Sequence, residues 1–137
     1  MKQSTIRRII SLGLLAALII VFSATSSYFL NVGNFIAILR DASVVGIIGI
    51  GVTYVIITAG IDLSTGSLLA LSGMVMALIY RYTALPIWLM LLAGLAVGVL
   101  GGWINGMIIT RLALPEFIAT LSTLGIYRAI TYIIAIK

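Results

Sequence analysis

Hydrophobic residues in this chain form long uncharged runs that are separated by short polar or charged breaks. The runs cover 9–30, 42–61, 63–80, 82–110 and, interrupted only by Arg128, 117–136. A helix that crosses the hydrocarbon of a bilayer needs about 20 apolar residues. Open strands would leave backbone groups unpaired there, so the pattern favours helices. We therefore predict five helices, near 9–30, 43–60, 65–80, 87–110 and 117–136.

Some of these segments depart from a simple span. The third is short, which suggests that it begins below the headgroup level or is partly re-entrant. Residues 34–43 (NFIAILRDAS) fit either a short helix in the interface plane or a plain connecting loop. The first run, followed by FSATSS, also resembles a secretory signal that is cleaved near Ala24, but its length and the later spans favour an uncleaved helix.

Composition supports a membrane setting for these helices. Of the 137 residues 63% are hydrophobic and 8% are charged, and the mean hydropathy is +1.32. Soluble domains are nearer to half apolar and about a quarter charged. We expect an all-α, polytopic transmembrane helical bundle in which residues 1–137 form a single transmembrane region in contact with membrane lipid.

The net charge of +5 comes from basic residues that stand singly between apolar runs, which is typical of membrane proteins and argues against a nucleic-acid surface. With the N-terminus inside, four basic residues face the cytoplasm and three face the outside (Lys2, Arg7, Arg8 and Arg111 against Arg40, Arg81 and Lys137). This weak preference puts the break at Asp62 on the cytoplasmic side or dipping into the membrane.

The break ITAGIDLSTGS between the second and third runs begins at Ile57 and carries an unusual group of polar residues. Gly60 is predicted to end the second helix in a backbone conformation that is costly for other residues. Asp62 or Ser64 is predicted to cap the third helix, because its free N–H groups and its dipole favour a negatively charged acceptor.

Gly66 and Ser67 follow in the same break and are expected to let the first turn of the third helix pack tightly or contact a ligand. Two compatible interpretations of the whole break follow. In the first it is a helix cap at a membrane turn. In the second it is a broken helix pair whose polar ends line the path of a solute, as in transporters.

Glycine recurs at every fourth position of the fourth helix, at Gly94, Gly98, Gly102 and Gly106. A stripe without side chains lets another helix approach closely, which is how helices associate in lipid. Asn105 lies beside the stripe and is predicted to hydrogen-bond a neighbour. The stripe therefore predicts helix packing inside a larger bundle rather than a direct role with substrate.

Arg128 is a cation inside the fifth apolar run. Such residues usually face a bundle interior or a water-filled path, and Asp62 is then a candidate partner. The alternative is that the side chain snorkels to the interface. The sequence leaves both interpretations open.

Catalytic and metal-binding patterns are missing from the sequence. It contains no histidine and no cysteine, which removes Ser–His and Cys–His nucleophile pairs and the metal sites built from these residues. It also contains no phosphate-binding loop, and its acidic residues Asp41, Asp62 and Glu116 are scattered. We expect a protein that is not an enzyme, hydrolyses no ATP and holds no metal or cofactor of its own.

Three ordered stretches resemble the ribose/xylose/arabinose-type ABC sugar permeases, at 39–58, 59–73 and 105–130. The second, AGIDLSTGSLLALSG, is similar to the family signature G-G-I-D-L-S-x-G-S-x-x-A-L-S-G. The third is similar to the N-G-x-x-x-T-x-x-x-x-P-x-F-I-A-T-L region. Ala59 departs from the usual first glycine, and Glu116 stands where a proline or a small residue is common.

The resemblance implies an inner-membrane permease subunit that translocates a monosaccharide by alternating access. The implied partners are a second permease subunit, a periplasmic sugar-binding protein and two ATP-binding subunits, which would bind the ATP. The residues implied for the translocation pathway or the helix break are Gly60, Asp62, Ser64, Gly66, Ser67 and Asn105. Because full-length members are longer, we expect the N-terminal half of a permease domain, as a fragment or a truncated product.

Two other hypotheses fit the apolar pattern. One is a small self-contained channel or secondary carrier, which needs an ion-coupling carboxylate in the membrane, and Asp62 is the candidate. The other is a non-functional permease remnant that inserts into the membrane but transports nothing.

Overall fold

The computed structural model describes residues 3–136, and within that range the chain is helical and contains no strand. Its five helices, in chain order, are α1 (Gln3–Thr25), α2 (Val32–Ile57), α3 (Thr65–Tyr82), α4 (Ile87–Arg111) and α5 (Glu116–Ala135). The predicted all-α class is confirmed.

The helix bounds differ from the prediction mainly in α1 and α2. Helix α1 begins at Gln3 and ends at Thr25, about one and a half turns earlier than expected at each end. Residues 34–43 are neither a loop nor a separate helix, because α2 runs through them without a break. At about 1.5 Å per residue α2 is about 39 Å long, which exceeds the hydrocarbon thickness of about 30 Å. The excess of about 9 Å equals about six residues, so the first turns of α2 have room to extend beyond the hydrocarbon.

Four helices are long and apolar enough to cross a membrane, by length and composition: α1, α2, α4 and α5. Helix α3 has 18 residues and is not one of the four, which agrees with the short third helix expected from the sequence. The chain is therefore a multi-pass membrane protein.

The chain divides into two compact units, Met1–Ile47 and Ile48–Lys137. In the first, local contacts hold the turn between α1 and α2. The rings of Phe22 and Phe29 stack with their centroids 5.6 Å apart, and the Asn34 side-chain amide donates to the carbonyl of Phe29 at 2.8 Å. That residues 1–137 act as a single transmembrane region stays a prediction.

In the second unit α3 packs against both α4 and α5. The apolar core there is small, and among the described residues more polar than apolar side chains are buried. The buried apolar residues are Leu71, Met90, Ala119 and Tyr127, and the buried polar residues are Ser64, Ser67, Asn105, Thr120 and Thr123. Burial of this many polar groups is favourable only where each finds a hydrogen-bond partner.

Two glycines of α4 mark its closest approach to α3. A Cβ atom at Gly94 would overlap the side chain of Met76, and one at Gly101 would overlap the side chain of Leu68. Both glycines are buried. Their lack of a side chain is therefore what permits the helices to lie this close together.

Within the described residues the first half of the glycine stripe packs against α3, and the packing of its second half inside a larger bundle stays a prediction. Gly98 is in ordinary contact with Ser72, whereas no described atom lies within 4 Å of a Cβ placed at Gly102 or Gly106. A step of four residues turns about 40° further than one full helical turn, so the stripe rotates away from α3 along α4. Asn105 lies four residues after Gly101 on the same face of α4, and it is buried.

Several hydroxyl side chains bond to the backbone of their own helical turn, as at Thr53 and Thr58. The Thr53 hydroxyl donates to the carbonyl of Gly49 at 2.7 Å, and that of Thr58 donates to the carbonyl of Val55 at 2.8 Å. These bonds give a polar hydrogen a partner inside the same helix, so such residues need no functional explanation.

Arg128 lies exposed on α5. Its Nε donates to the Tyr132 hydroxyl one turn later at 3.3 Å, and its guanidinium lies 5.5 Å from the centroid of that ring. Arg128 therefore does not face the interior formed by α3, α4 and α5. That it faces a larger bundle or a water-filled path stays a prediction. The exposed position agrees with the alternative, a side chain that snorkels to the interface.

Candidate functional site

The end of α2 is closed by the pair of backbone hydrogen bonds known as the Schellman motif. The N–H of Gly60 donates to the carbonyl of Val55, and the N–H of Ala59 donates to the carbonyl of Ile56, each at 2.9 Å. In this motif the left-handed residue is Ala59, with φ of 62°, whereas Gly60 has no positive φ. The prediction that Gly60 adopts this conformation is therefore wrong. The two bonds require the left-handed conformation at the residue before Gly60, which is Ala59.

Gly60 is needed for a different reason, namely the close approach of a side chain from α5. A Cβ atom at Gly60 would lie 2.7 Å from Oε2 of Glu116 and 3.1 Å from the carbonyl oxygen of Val55. Gly60 is also buried. Any side chain at this position would displace the Glu116 carboxylate from the turn.

Asp62 and Ser64 form a local turn instead of the predicted helix cap. One carboxylate oxygen of Asp62 accepts the Ser64 N–H at 2.8 Å and the Ser64 hydroxyl at 2.7 Å. Ser64 occupies the N-cap position of α3, but its side chain makes no capping bond. The capping prediction is wrong because the Ser64 hydroxyl donates to Asp62 and accepts a hydrogen bond from a side-chain amide of α4.

That amide belongs to Asn105, whose Nδ2 donates to the Ser64 hydroxyl at 2.7 Å. Both residues are buried, with 4% of Asn105 and none of Ser64 exposed. The donors therefore run in one direction, from Asn105 through Ser64 to the Asp62 carboxylate. In a site of low dielectric such a chain strengthens each of its bonds, so it fixes the position of Asp62.

Tyr127 of α5 contacts the same network of Asn105, Ser64 and Asp62 through Asn105. Its hydroxyl donates to the carbonyl of Gly101 at 2.9 Å and lies 3.4 Å from Oδ1 of Asn105. The shorter of these bonds satisfies a carbonyl in the middle of α4, and the longer one orients the amide of Asn105. Tyr127 thereby links α5 to the network around Asp62.

Helix α5 also binds the backbone of the turn at Ile61. The N–H of Ile61 donates to Oε2 of Glu116 at 3.0 Å. Its carbonyl accepts the Thr120 hydroxyl at 3.2 Å, while that hydroxyl also reaches the carbonyl of Glu116 at 2.8 Å. Both backbone groups of a non-helical residue thus find partners, which a membrane-embedded or interfacial turn requires.

The turn, α4 and α5 line a half-open cavity of about 270 Å³. Its lining residues are Val55, Thr58, Gly60, Ile61, Asp62, Gly102, Asn105, Gly106, Ile109, Glu116 and Thr120. Two carboxylates, an amide and hydroxyl groups are therefore available within one small volume. Throughout residues 3–136 every buried side-chain nitrogen or oxygen has a hydrogen-bond partner, so the network that shapes the cavity is complete.

The structure brings together most of the residues predicted for the translocation pathway or the helix break. Gly60, Asp62 and Asn105 line the cavity, and Ser64 lies buried beneath it. Ser67 is buried and donates to the carbonyl of Ser64 at 2.8 Å, so it tightens the first turn of α3 as predicted. Gly66 lies outside the cluster: it is exposed, and no described atom lies near the place of its missing Cβ.

Sequence reasoning missed Glu116, Thr120 and Tyr127 as members of the site. In the sequence Glu116 is a scattered acidic residue and a departure from the family pattern, and the predicted orientation of the helices places it on the same side of the membrane as the Asp62 break. That shared side is the signal that points to a contact. Two of the four glycines predicted to pack, Gly102 and Gly106, line the cavity.

A family model described as the permease component of the branched-chain amino acid transport system matches residues 34–137. The chain belongs to this permease family. The matched range includes every residue that lines the cavity. No solved structure matches the chain significantly.

Several curated members of the family are sugar permeases. The ribose import permease protein RbsC of Haemophilus influenzae is 43% identical over 119 residues, which are 87% of this chain and 36% of that protein. The D-allose transport system permease protein AlsC of Escherichia coli is 40% identical over 123 residues, or 89% of this chain and 38% of that protein. The fructose import permease protein FrcC of Rhizobium meliloti is 47% identical over 85 residues, which are 61% of this chain and 23% of that protein.

These matches confirm the resemblance to ABC sugar permeases that the three sequence stretches indicate. The chain spans little more than a third of the length of the first two relatives and corresponds to their N-terminal part. Membership in a family of transporter permease components is consistent with the multi-pass arrangement of the helices.

Proposed function

We propose that this chain is the N-terminal part of the membrane-spanning permease subunit of an ABC importer that carries a monosaccharide across the inner membrane. The observation that carries the proposal is that the family match contains the whole polar cavity. The names of the relatives, which specify ribose, D-allose and fructose, supply the substrate class.

The chemistry of the cavity suits a polyhydroxylated solute. Sugar hydroxyl groups both donate and accept, and the lining offers carboxylate acceptors at Asp62 and Glu116. Asp62 has the additional role of ordering the break between α2 and α3 through its two bonds to Ser64. Solute then passes beside the turn when the helices move relative to one another during alternating access.

In this proposal the energy comes from outside the chain. Two ATP-binding subunits bind and hydrolyse ATP, a second permease subunit completes the pathway, and a periplasmic sugar-binding protein delivers the solute. The chain itself is not an enzyme, holds no cofactor or metal and binds no nucleic acid. Its own contribution is the cavity and the helices that shape it.

A segment exchange tests the proposal. Residues 34–137 replace the aligned segment of the ribose permease of Haemophilus influenzae, and the hybrid is produced with its ATP-binding and sugar-binding partners in cells without a ribose permease. Uptake of radiolabelled ribose, D-allose and fructose is measured with and without depletion of ATP. We expect ATP-dependent uptake of at least one of these sugars.

Asp62→Ala in the hybrid is expected to abolish that uptake, whereas Thr83→Ala, at the far end of α3, leaves it intact. A hybrid that reaches the membrane but carries none of the three sugars contradicts the proposal, as does an Asp62→Ala hybrid with unchanged uptake and expression. Sugar flux through the 137-residue chain alone in proteoliposomes without nucleotide would instead indicate a self-contained channel or carrier.

A further inference from the structure

The turn from Ala59 to Leu63 forms one wall of the cavity but has little apolar burial of its own. The side chains of Ile61 and Leu63 are 54% and 37% exposed within this chain. Gly60, between Ala59 and Ile61, has no side chain to pack. Burial of apolar surface therefore contributes little to the position of this turn.

The conformation of the turn is also intrinsically unfavourable at one residue. Ala59 has a φ of 62°, a left-handed conformation in which the Cβ atom crowds the carbonyl oxygen. An alanine in this position is expected to favour release of the turn. Contacts made from elsewhere in the fold have to oppose that tendency.

The contacts that oppose it come from α5 and meet at Ile61. The Glu116 carboxylate accepts the Ile61 N–H, and the Thr120 hydroxyl donates to the Ile61 carbonyl. The Thr120 hydroxyl is shared between two carbonyl oxygens. Its Oγ1 lies 2.8 Å from the carbonyl oxygen of Glu116 and 3.2 Å from that of Ile61. The bond to the carboxylate is charge-assisted and is therefore the stronger of the two at Ile61.

We propose that Glu116 is a positioning residue that latches the Ala59–Leu63 turn over the polar cavity, and that the strain at Ala59 makes this latch releasable. When the Glu116 bond is made, the turn covers the cavity and holds Asp62 at its edge. When the bond is lost, Ala59 relaxes and the turn moves away from α5. The α5 side of the turn is thus held mainly by the Glu116 bond, with the weaker Thr120 bond beside it, while the bonds of Asp62 to Ser64 stay in place.

The absence of cysteine allows a direct measurement of the turn. A nitroxide spin label is attached to Leu63→Cys in the whole chain, reconstituted in lipid nanodiscs, and continuous-wave electron paramagnetic resonance gives the fraction of mobile label. Leu63 is partly exposed and makes none of the bonds described above. A second label at Leu85→Cys, in the turn at the other end of α3, serves as the control for the integrity of the fold.

Three substitutions of Glu116 separate the length of the side chain from its charge. Glu116→Ala removes the acceptor and is expected to raise the mobile fraction at residue 63 about tenfold, as for the loss of one charge-assisted bond. Glu116→Asp keeps the charge but is too short, and it is expected to behave like alanine. Glu116→Gln keeps an acceptor at the same reach and is expected to restore most of the immobile fraction.

Two further substitutions test the mechanism from the side of the turn. Gly60→Ala is expected to mobilise the label as Glu116→Ala does, and to add nothing in its presence, because its Cβ would occupy the space of Oε2. Ala59→Gly removes the strain and is expected to reduce the effect of Glu116→Ala by several-fold.

An unchanged mobile fraction in Glu116→Ala, or equal mobilisation by glutamine and alanine, overturns the latch. So does an increase at residue 85 as large as that at residue 63, since this would indicate general loosening of the fold. The measurement involves neither sugar nor ATP. The latch can therefore fail while the proposed transport function stands, and the reverse also holds.

Discussion

The two ends of α3 are built in different ways. At its N-terminal end the turn is bonded to distant parts of the chain, with Ser64 joined to Asn105 over 41 residues and Ile61 joined to Glu116 over 55. At its C-terminal end the Thr83 hydroxyl donates to the carbonyl of Ile79 at 2.6 Å, and the Leu85 N–H donates to Thr83 at 3.4 Å. These bonds stay within four residues.

Burial explains the difference between the two turns. Residues 81–86 are all exposed, so their polar groups are open to water or to lipid headgroups. Ser64 is completely buried, and a buried polar group without a partner is costly. The N-terminal end of α3 is therefore stable only after α4 and α5 have packed against it, whereas the C-terminal turn forms from local sequence alone.

Removal of Asn105 is expected to have the largest effect at the buried end. Asn105→Leu keeps the size of the side chain but deprives the Ser64 hydroxyl of its donor, and it should lower the free energy of unfolding by about 2–3 kcal/mol. Thermal or denaturant-induced unfolding in detergent micelles, followed by circular dichroism, measures this. A loss below about 0.5 kcal/mol would show that the network contributes little.

A methyl group at Gly94 tests the packing near the other end of α3. Gly94→Ala drives a Cβ atom into Met76 and should cost about 1–2 kcal/mol, because part of the overlap is relieved by movement of the flexible methionine. Gly102→Ala is the matched control, since its Cβ meets no described atom within 4 Å. Equal effects of the two substitutions in the same unfolding measurement would contradict the assigned packing face.

Ala59→Gly is expected to stabilise the chain by about 1 kcal/mol, because glycine adopts the left-handed conformation without a steric cost. Ala84→Gly, in the exposed turn, is expected to have the opposite sign, because Ala84 has no positive φ and glycine only adds entropy to the unfolded chain. Differential scanning calorimetry in micelles compares the two. A destabilising Ala59→Gly would show that the left-handed assignment is incorrect.

The smallest effect is expected at the exposed turn. Thr83→Ala removes the two local bonds of the hydroxyl, and it should cost about 0.5 kcal/mol, since both bonds are replaced by bonds to water. The same calorimetric measurement applies. A cost as large as that of Asn105→Leu would remove the distinction between the two ends of α3.

The predictions from sequence succeed and fail in a consistent way. The short third helix and the hydrogen bond of Asn105 are confirmed. The left-handed conformation at Gly60 and the cap by Ser64 are wrong. The successes follow from the length of an apolar run and from the need of an amide in such a run for a partner, and the failures concern positions where several partners compete for one group.

What the sequence determined by itself is the set of membrane helices and the permease family. Both follow from local properties: an apolar run of sufficient length becomes a helix in lipid because its backbone has no other partner there. The order of short motifs identifies the family without any knowledge of distances.

Tertiary structure alone decided which residues form the site. Whether Gly101 or Gly102 faces α3 depends on how a helical repeat of 3.6 residues meets a spacing of four. Whether Glu116 is an isolated charge or the partner of Ile61 depends on how the α2–α3 turn and the start of α5 meet in space, 55 residues apart in the chain. Such contacts are set by the packing of whole helices, and no short stretch of sequence contains that information.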